Sequence, residues 1–427
     1  MAKRVEITAL AFGGKGVGRI DGKVVFVPYA APGDILDIGI VSEKKGFSEG
    51  VIERIERPSP ERVEPPCPYY GECGGCNMQH MAYGHQLEWK QRIFEETLRR
   101  IGKVEGVRYD EPIASKREFN YRARARFQAK GGMTGFFGAR SHRVVDVESC
   151  PLLEPAINET YADIRRVVTN GQMPPINSFE VNLSEQDSRT VAVFHTDAKA
   201  DWSWSKALEG IRHLKGFEVW LSPPEGMAKR LASEGDTIVS YPVEGINISA
   251  GASVFSQVNR WQNSELVKKA VALSRLSGKE TAVDLFSGVG NLTLPLARGA
   301  LRSIGVDSNI EAVREAAENA RRNSIKNTEF HAADAADWLK QNLKSLERAG
   351  DCVLVLDPPR GGEPEIARSL SGIRPDRIVY ISCSPPTLAR DVLALAGCGY
   401  RVSRAALIDM FPQTYHIESV VSLELAG

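Results

Sequence analysis

Short β-rich runs broken by turn residues fill the first 58 positions, and regular strand–helix alternation fills the chain from about residue 250. Residues 5–10, 13–20, 24–28, 35–41 and 50–55 each read as a strand. Asp21 and Gly22 mark a tight hairpin between the second and third of these. Pro32, Gly33 and Asp34 make another turn. Five strands in so short a stretch predict a small closed barrel. Pro58, Pro60, Pro65 and Pro66 then break regular structure and mark a linker. Residues 83–101 space Leu87, Ile93, Phe94, Leu98 and Ile101 as a packing helix does.

The C-terminal alternation is more specific. Residues 281–286 form an apolar run, Ser287 to Asn291 a glycine turn, and 292–298 the start of a helix. This is the first βα turn of a Rossmann-like sheet. Later runs end in Asp307, in the neighbourhood of Asp334, and in Asp357. Ligands bind at the carboxyl ends of such strands, so these acids converge on one crevice. Asp307 is placed to meet ribose hydroxyls and Asp334 an adenine amino group, an order that favours S-adenosylmethionine over a nicotinamide. The predicted fold is therefore α/β in three parts: an OB-like barrel at 1–58, a mixed α/β central domain at 59–245, and a class I methyltransferase domain at 246–427.

Charge alters this picture little. The formal net charge is +0, so any nucleic-acid surface must be local. No long apolar run opens the chain, and none approaches a membrane span. The expectation is a cytoplasmic protein without a membrane partner, a monomer being the favoured state. Arg122, Arg124 and Arg126 alternate onto one face of a predicted strand, among Phe119, Tyr121 and Phe127. That pattern suits either phosphate contact and base stacking or a plain solvated face.

The seven cysteines are unevenly placed. Cys67, Cys73 and Cys76 form a C-x5-C-x2-C pattern, and Cys150 is the one further cysteine in that half. Zinc ligands usually come as two short-spaced pairs. Three clustered cysteines and one distant one look more like an iron–sulfur cluster, although zinc and unligated thiols stay open. Late in the chain, Cys383 follows Tyr380, Ile381 and Ser382, and Glu418 follows His416 and Ile417. A thiolate adding to C6 of uracil makes C5 nucleophilic, and a carboxylate can then remove the C5 proton.

Several stretches together carry a family likeness. Gly14 to Arg19, Phe26 to Pro28 and Pro32 to Asp34 resemble the TRAM domain, an RNA-binding module. Cys73-Gly-Gly-Cys76 running to His80, Asp284 to Asn291, Asp357-Pro-Pro-Arg-Gly361, Ser382 to Pro385, and Asp409 to Gln413 leading into Glu418 resemble the RNA (uracil-5-)-methyltransferase family. The likeness is in particular to members with a TRAM domain and a [4Fe–4S] cluster that modify 23S rRNA. The resemblance implies that Cys383 is the nucleophile and Glu418 the base. It implies donor binding by Gln257, Phe286, Asn291, Asp307, Asp334 and Asp357, and cluster ligation by Cys67, Cys73, Cys76 and Cys150. Ser384 stands where the family commonly has Asn. The expected activity is S-adenosylmethionine-dependent methylation of a uridine in structured RNA, 23S rRNA first and tRNA second. An RNA cytosine-5 methyltransferase is disfavoured, because no cysteine lies beside Pro358 and Pro359. An RNA-binding iron–sulfur protein with an inactive methyltransferase fold is the non-enzymatic alternative.

Overall fold

The N-terminal alternation closes on itself. The computed structural model describes residues 2–197, 203–222, 228–348, 351–370 and 375–425. In it, β1 (Lys3–Leu10), β2 (Lys15–Ile20), β3 (Lys23–Pro28), β4 (Ile35–Glu43) and β5 (Phe47–Arg57) form a closed barrel in the order β1-β2-β3-β5-β4. Val5, Ile7, Val25, Val27, Leu36 and Ile38 fill it, because a two-residue period turns alternate side chains inward. Asp21 and Gly22 both have positive φ, at 50° and 78°, as a two-residue hairpin between right-twisted strands requires. Asp34 is buried. It accepts from the Ala31 and Ser59 amides at 2.6 and 2.8 Å and from the Arg62 guanidinium, tying the barrel to the linker after it.

The linker leads into α1 (Tyr83–Arg100) and a short β6 (Arg108–Tyr109). A seven-stranded sheet follows, built from β7 (Arg124–Lys130), β8 (Met133–Phe137), β9 (Val144–Asp146), β10 (Ser178–Ser184), β11 (Arg189–Thr196), β12 (Leu214–Leu221) and β13 (Lys229–Gly235), in the order β13-β12-β11-β10-β7-β8-β9. Between β9 and β10, α2 (Pro155–Thr169) lays Ile157, Tyr161 and Ile164 on Phe127, Phe179 and Phe194. The Phe127 and Tyr161 rings stack at 4.0 Å. The short α3 (Trp204–Ala207) adds Trp204 to the same core. A hairpin of β14 (Ile238–Val243) and β15 (Ile246–Gly251) then runs into α4 (Arg260–Ser274).

The rest alternates: β16 (Thr281–Leu285), α5 (Thr293–Ala297), β17 (Arg302–Asp307), α6 (Ile310–Arg322), β18 (Thr328–Ala332), α7 (Ala335–Arg348), β19 (Cys352–Leu356), α8 (Pro364–Ser369), β20 (Arg377–Ser382), α9 (Pro385–Gly397), β21 (Tyr400–Ile408) and β22 (Glu418–Leu425). Their sheet has the order β18-β17-β16-β19-β20-β22-β21-β6. The first five strands are parallel, and β22 inserts antiparallel between β20 and β21. Every residue of β16 and β19 is buried, which is why β19 reads as an unbroken apolar run and β16 as one interrupted only by Thr281 and Asp284. Strand order reverses at β16, which pairs with both β17 and β19, and the crevice opens at the carboxyl ends there. The helix α1 belongs to this layer: Phe94 and Leu98 share a core with Val283, Leu354 and Leu388, and β6 pairs with β21. No described helix is long and apolar enough to cross a membrane.

Candidate active site

At the switch point the backbone is drawn tight. Phe286, just past β16, has φ 72° although it is not glycine. It is held there because its own N–H and that of Ser287 both donate to Val306 O, at 2.8 and 3.0 Å. Gly288 donates its N–H to Asp307 Oδ2 at 2.9 Å, and Asn309 N–H donates to Oδ1 at 2.8 Å. Asp307 is thus fixed at the end of β17 by the glycine turn it faces. Asn291 exchanges two amide hydrogen bonds with Asn263 of α4, both 2.9 Å. Asp334 starts α7 by accepting from Asp337 N–H at 3.0 Å. Gln257 lies half-buried in the loop from β15 to α4, beside the widely exposed Phe255. Beneath the turn, burial pushes the Asp284 carboxyl up to about 8, and the nearby Asp357 and Asp307 charges push the same way. Asp284 Oδ1 and Ser287 Oγ are buried without a hydrogen-bond partner. A turn flanked by three strand-end acids and carrying two such atoms can receive the polar groups of a nucleoside ligand.

Cys383 and Glu418 come together through sheet register. Ser382 pairs with Ser419 across antiparallel β20 and β22, and Ser419 Oγ donates to Ser382 O at 3.1 Å. Cys383 and Glu418 adjoin that last pair, and the Glu418 charge acts on the Cys383 thiol. Residues directly opposite in an antiparallel pair project to the same face. Burial pushes the Cys383 thiol up to about 11; Glu418 and Asp357 add to the rise and Arg360 opposes it. Burial likewise holds Glu418 well above the usual carboxylate range, with Asp357 raising it and Arg360 lowering it. Asp357, at the end of β19, is raised to about 6 by burial. Two acids and a thiol thus share one desolvated corner, where a thiol nucleophile and a strong carboxylate base can act on one ring.

The cysteine loop meets the segment before Glu418, where the Asn77 and Met78 amides donate to Gln413 O. Cys73 N–H donates to Tyr69 O, and Gly75 N–H to Cys73 Sγ at 3.5 Å. A Cβ on Gly74 would stand 3.0 Å from Phe137 O, so a side chain there would push the loop off the sheet. Asn158 of α2 brackets Cys150 with bonds to its N–H and C=O, both 3.0 Å. Burial raises the Cys73 thiol, the Cys76 thiol to about 12 and the Cys150 thiol to about 11; neighbouring thiols of the set raise each of them further. The four thiols are therefore within electrostatic reach of one another. Gln79 Nε2 is buried without a hydrogen-bond partner, while Gln79 Oε1 accepts from Cys67 N–H at 3.3 Å. No group of three or more His, Cys, Asp or Glu among the described residues is arranged to hold a metal ion. Burial keeps Cys73, Cys76 and Cys150 as neutral thiols in the free protein, so a metal centre on this donor set would have to displace their protons.

The arginine strand departs from the nucleic-acid reading. Tyr121 and Phe127 are core residues, fully buried, and offer no face for a base. Arg124 is largely buried against Glu180, with Nε 2.9 Å from Oε2, and donates to Val254 O. Arg126 bonds Ser178 and stands 3.8 Å from Glu180. Glu180 lies on β10, opposite Arg126 in register, so its charge was invisible to any reading of the arginine run alone.

Sequence reading also missed the residues behind the site. The buried side of α1 carries Gln86, Lys90, Phe94 and Leu98 at four-residue spacing. Lys90 Nζ contacts Asp409 Oδ1 at 2.6 Å and Phe411 O at 3.0 Å. Two polar residues inside an otherwise apolar helical stripe were the available signal. His416, two residues before Glu418, packs its ring on Tyr415 and Phe411. Burial and the Arg360, Lys90 and Arg122 charges hold it down to about 4, so it is neutral at physiological pH.

Residues 82–426 match the tRNA (uracil-5-)-methyltransferase family, and residues 2–52 match the TRAM domain. An uncharacterized RNA methyltransferase of Aquifex aeolicus is 37% identical over 99% of this chain and 98% of its own. The 23S rRNA (uracil(1939)-C(5))-methyltransferase RlmD of Hahella chejuensis is 33% identical over 99% of this chain and 97% of its own. Among solved structures, the Pyrococcus abyssi tRNA (uracil-54, C5)-methyltransferase in complex with S-adenosyl-L-homocysteine superposes with a TM-score of 0.77. It is 24% identical, and the match covers 99% of this chain and 100% of that one.

Proposed function

Since the chain belongs to the tRNA (uracil-5-)-methyltransferase family, we propose that it methylates C5 of a uridine in structured RNA through a covalent Cys383 adduct that Glu418 resolves. The observation that supports the reading is the β20–β22 register, whose last pair, Ser382 and Ser419, adjoins Cys383 and the buried Glu418. Once its proton has left to solvent, Cys383 Sγ bonds C6, the C5–C6 π pair becomes a C4–C5 π bond, and the C4=O π pair moves to O4 as an enolate. When bound, S-adenosylmethionine supplies a methyl group on a positively charged sulfur, which C5 takes as S-adenosylhomocysteine leaves. The Glu418 carboxylate then accepts the C5 proton. That C–H pair rebuilds the C5–C6 double bond, and the Sγ–C6 pair returns to sulfur. A carboxyl held above its ordinary range is the stronger base for this step.

In this reading Gln257, Phe286, Asn291, Asp307, Asp334 and Asp357 hold the methyl donor, the acids serving ribose hydroxyls and the adenine amino group. Cys67, Cys73, Cys76 and Cys150 hold a [4Fe–4S] cluster, whose part is to fix the loop rather than to carry electrons. Full-length relatives named for 23S rRNA favour a ribosomal substrate. The test is a map of 5-methyluridine in 23S rRNA and tRNA from a strain lacking the gene. Loss of one 23S position is expected; loss confined to tRNA would move the substrate, and an unchanged map would defeat the reading.

A further inference from the structure

The loop that joins β21 to β22 runs from Asp409 to Ile417, between the paired residues Ile408 and Glu418. It has few bonds of its own, among them Thr414 Oγ1 to Phe411 O and His416 N–H to Thr414 Oγ1. Most of its other polar groups are held by residues far from it in sequence. Asn259 Nδ2 donates to Met410 O at 3.1 Å, Lys90 Nζ to Phe411 O, and Tyr121 Oη to Pro412 O at 3.0 Å. Gln413 takes the largest share. Its N–H donates to Gln86 Oε1 at 3.0 Å, and its Oε1 accepts from Gln86 Nε2 at 2.9 Å. Its carbonyl accepts from the Asn77 and Met78 amides at 3.2 and 3.1 Å. Tyr415 N–H then donates to Asn77 Oδ1 at 2.9 Å.

Gln413 is buried and has φ 69°, a left-handed conformation that a non-glycine residue keeps only where its surroundings impose it. Here the imposing groups are named. Gln86 satisfies both ends of the glutamine, and Asn77 holds the residues on either side of Thr414. Released, the loop would relax toward ordinary backbone angles. Glu418 is the first residue of β22, so its side chain takes its bearing from this loop as much as from the strand.

We propose that Gln86 and Asn77 are positioning residues for Glu418. They hold the 409–417 loop so that the carboxylate meets the C5 proton, and the assignment rests on the uridine reading above. Neither residue touches a reacting atom. Their loss therefore acts on the proton-removal step and leaves thiolate addition and methyl transfer standing. Asn77 directly follows Cys76, so the cysteine loop and the base loop share this hinge.

The test is single-turnover kinetics on ordinary uridine RNA with wild type, Asn77→Ala, Gln86→Leu and Asn77→Asp, each run also on a denaturing gel. The two disruptive variants are expected to transfer methyl at near wild-type rate and to accumulate a covalent protein–RNA adduct. Turnover should fall by about 100-fold, the scale of a misplacement near 1 Å, with KM for RNA and donor unchanged. Asn77→Asp keeps the acceptor for Tyr415 N–H and should restore turnover. Asn77 lies in a partly exposed loop, so its variants report even if Gln86→Leu fails to fold. Equal loss of methyl transfer and resolution, or adduct resolution at wild-type rate in Asn77→Ala, would overturn the assignment. A wild-type enzyme that forms no adduct with 5-fluorouridine RNA would overturn the uridine reading along with it.

Discussion

Lys90 Nζ and Asp409 Oδ1 stand 2.6 Å apart, and neither side chain reaches solvent. One lies on α1, and the other opens the loop that ends at Glu418. Desolvation pushes the lysine down and the carboxylate pushes it back up. Asp409 Oδ2 has no hydrogen-bond partner of its own, so the pair is strongly interdependent. Lys90→Met should leave an uncompensated buried carboxylate and cost about 3–5 kcal/mol. Replacing both, with Asp409→Leu added, should recover much of that loss. Urea unfolding of the two variants measures the difference, and equal destabilisation would show that packing, not charge, is at stake.

The parallel strands of the C-terminal sheet were legible because both their faces are covered. Thr281–Leu285 and Cys352–Leu356 are wholly buried, and the apolar character of both runs, broken only by Thr281 and Asp284 in the first, is the direct imprint of that burial. The hairpin at Asp21 and Gly22 was legible for another local reason, its positive φ pair. Cys383 and Glu418 were recognisable as chemistry, but their adjacency depends on β22 entering between β20 and β21, which no local pattern announces. Gln86 stood out only as a polar break in an apolar helical stripe, and its role was hidden because its partner, Gln413, is 327 residues away. Read alone, a glutamine on a helix looks solvated. The two readings of the β7 arginines could not be decided from their own run for the same reason, since their ion-pair partner Glu180 lies on another strand.

Thiol reactivity should report the desolvated corner in the free protein. With the Cys383 thiol at about 11, the thiolate is scarce at neutral pH and grows with alkali. Carbamidomethylation of Cys383, followed by peptide mass spectrometry, should therefore speed up by about tenfold per pH unit from about pH 7 to about pH 10. Arg360 lowers this pKa, so Arg360→Gln should slow the reaction at any given pH in that range. A plateau below about pH 9 in the wild type would contradict the burial argument.

Anaerobically purified protein should contain iron and sulfide in cluster stoichiometry, with a visible charge-transfer band. Cys73→Ser and Cys150→Ser should each remove iron. Asn158→Ala, which frees both backbone bonds around Cys150, should weaken retention of iron on exposure to a chelator without abolishing loading. Stoichiometric zinc and no iron in the anaerobic wild type would assign the thiols to the other metal.

The separate roles of Cys383 and Glu418 can be split because only the second stage of the reaction needs proton removal. Glu418→Gln keeps the shape of the side chain and discards its basicity. It should still add the Cys383 thiolate to C6 and still pass the methyl group to C5. The product ring would then be held, since the Sγ–C6 bond breaks only as the C5 proton leaves. On ordinary uridine RNA with donor present, Glu418→Gln should therefore show a covalent protein–RNA band on a denaturing gel, while wild type shows little. Cys383→Ala should show none and should bind RNA as before. The Cys383→Ala, Glu418→Gln double variant is the control: an adduct surviving there would mean that another nucleophile forms it. Normal product release by Glu418→Gln would remove Glu418 from the role of base and turn attention to Asp357, the other raised carboxyl in that corner.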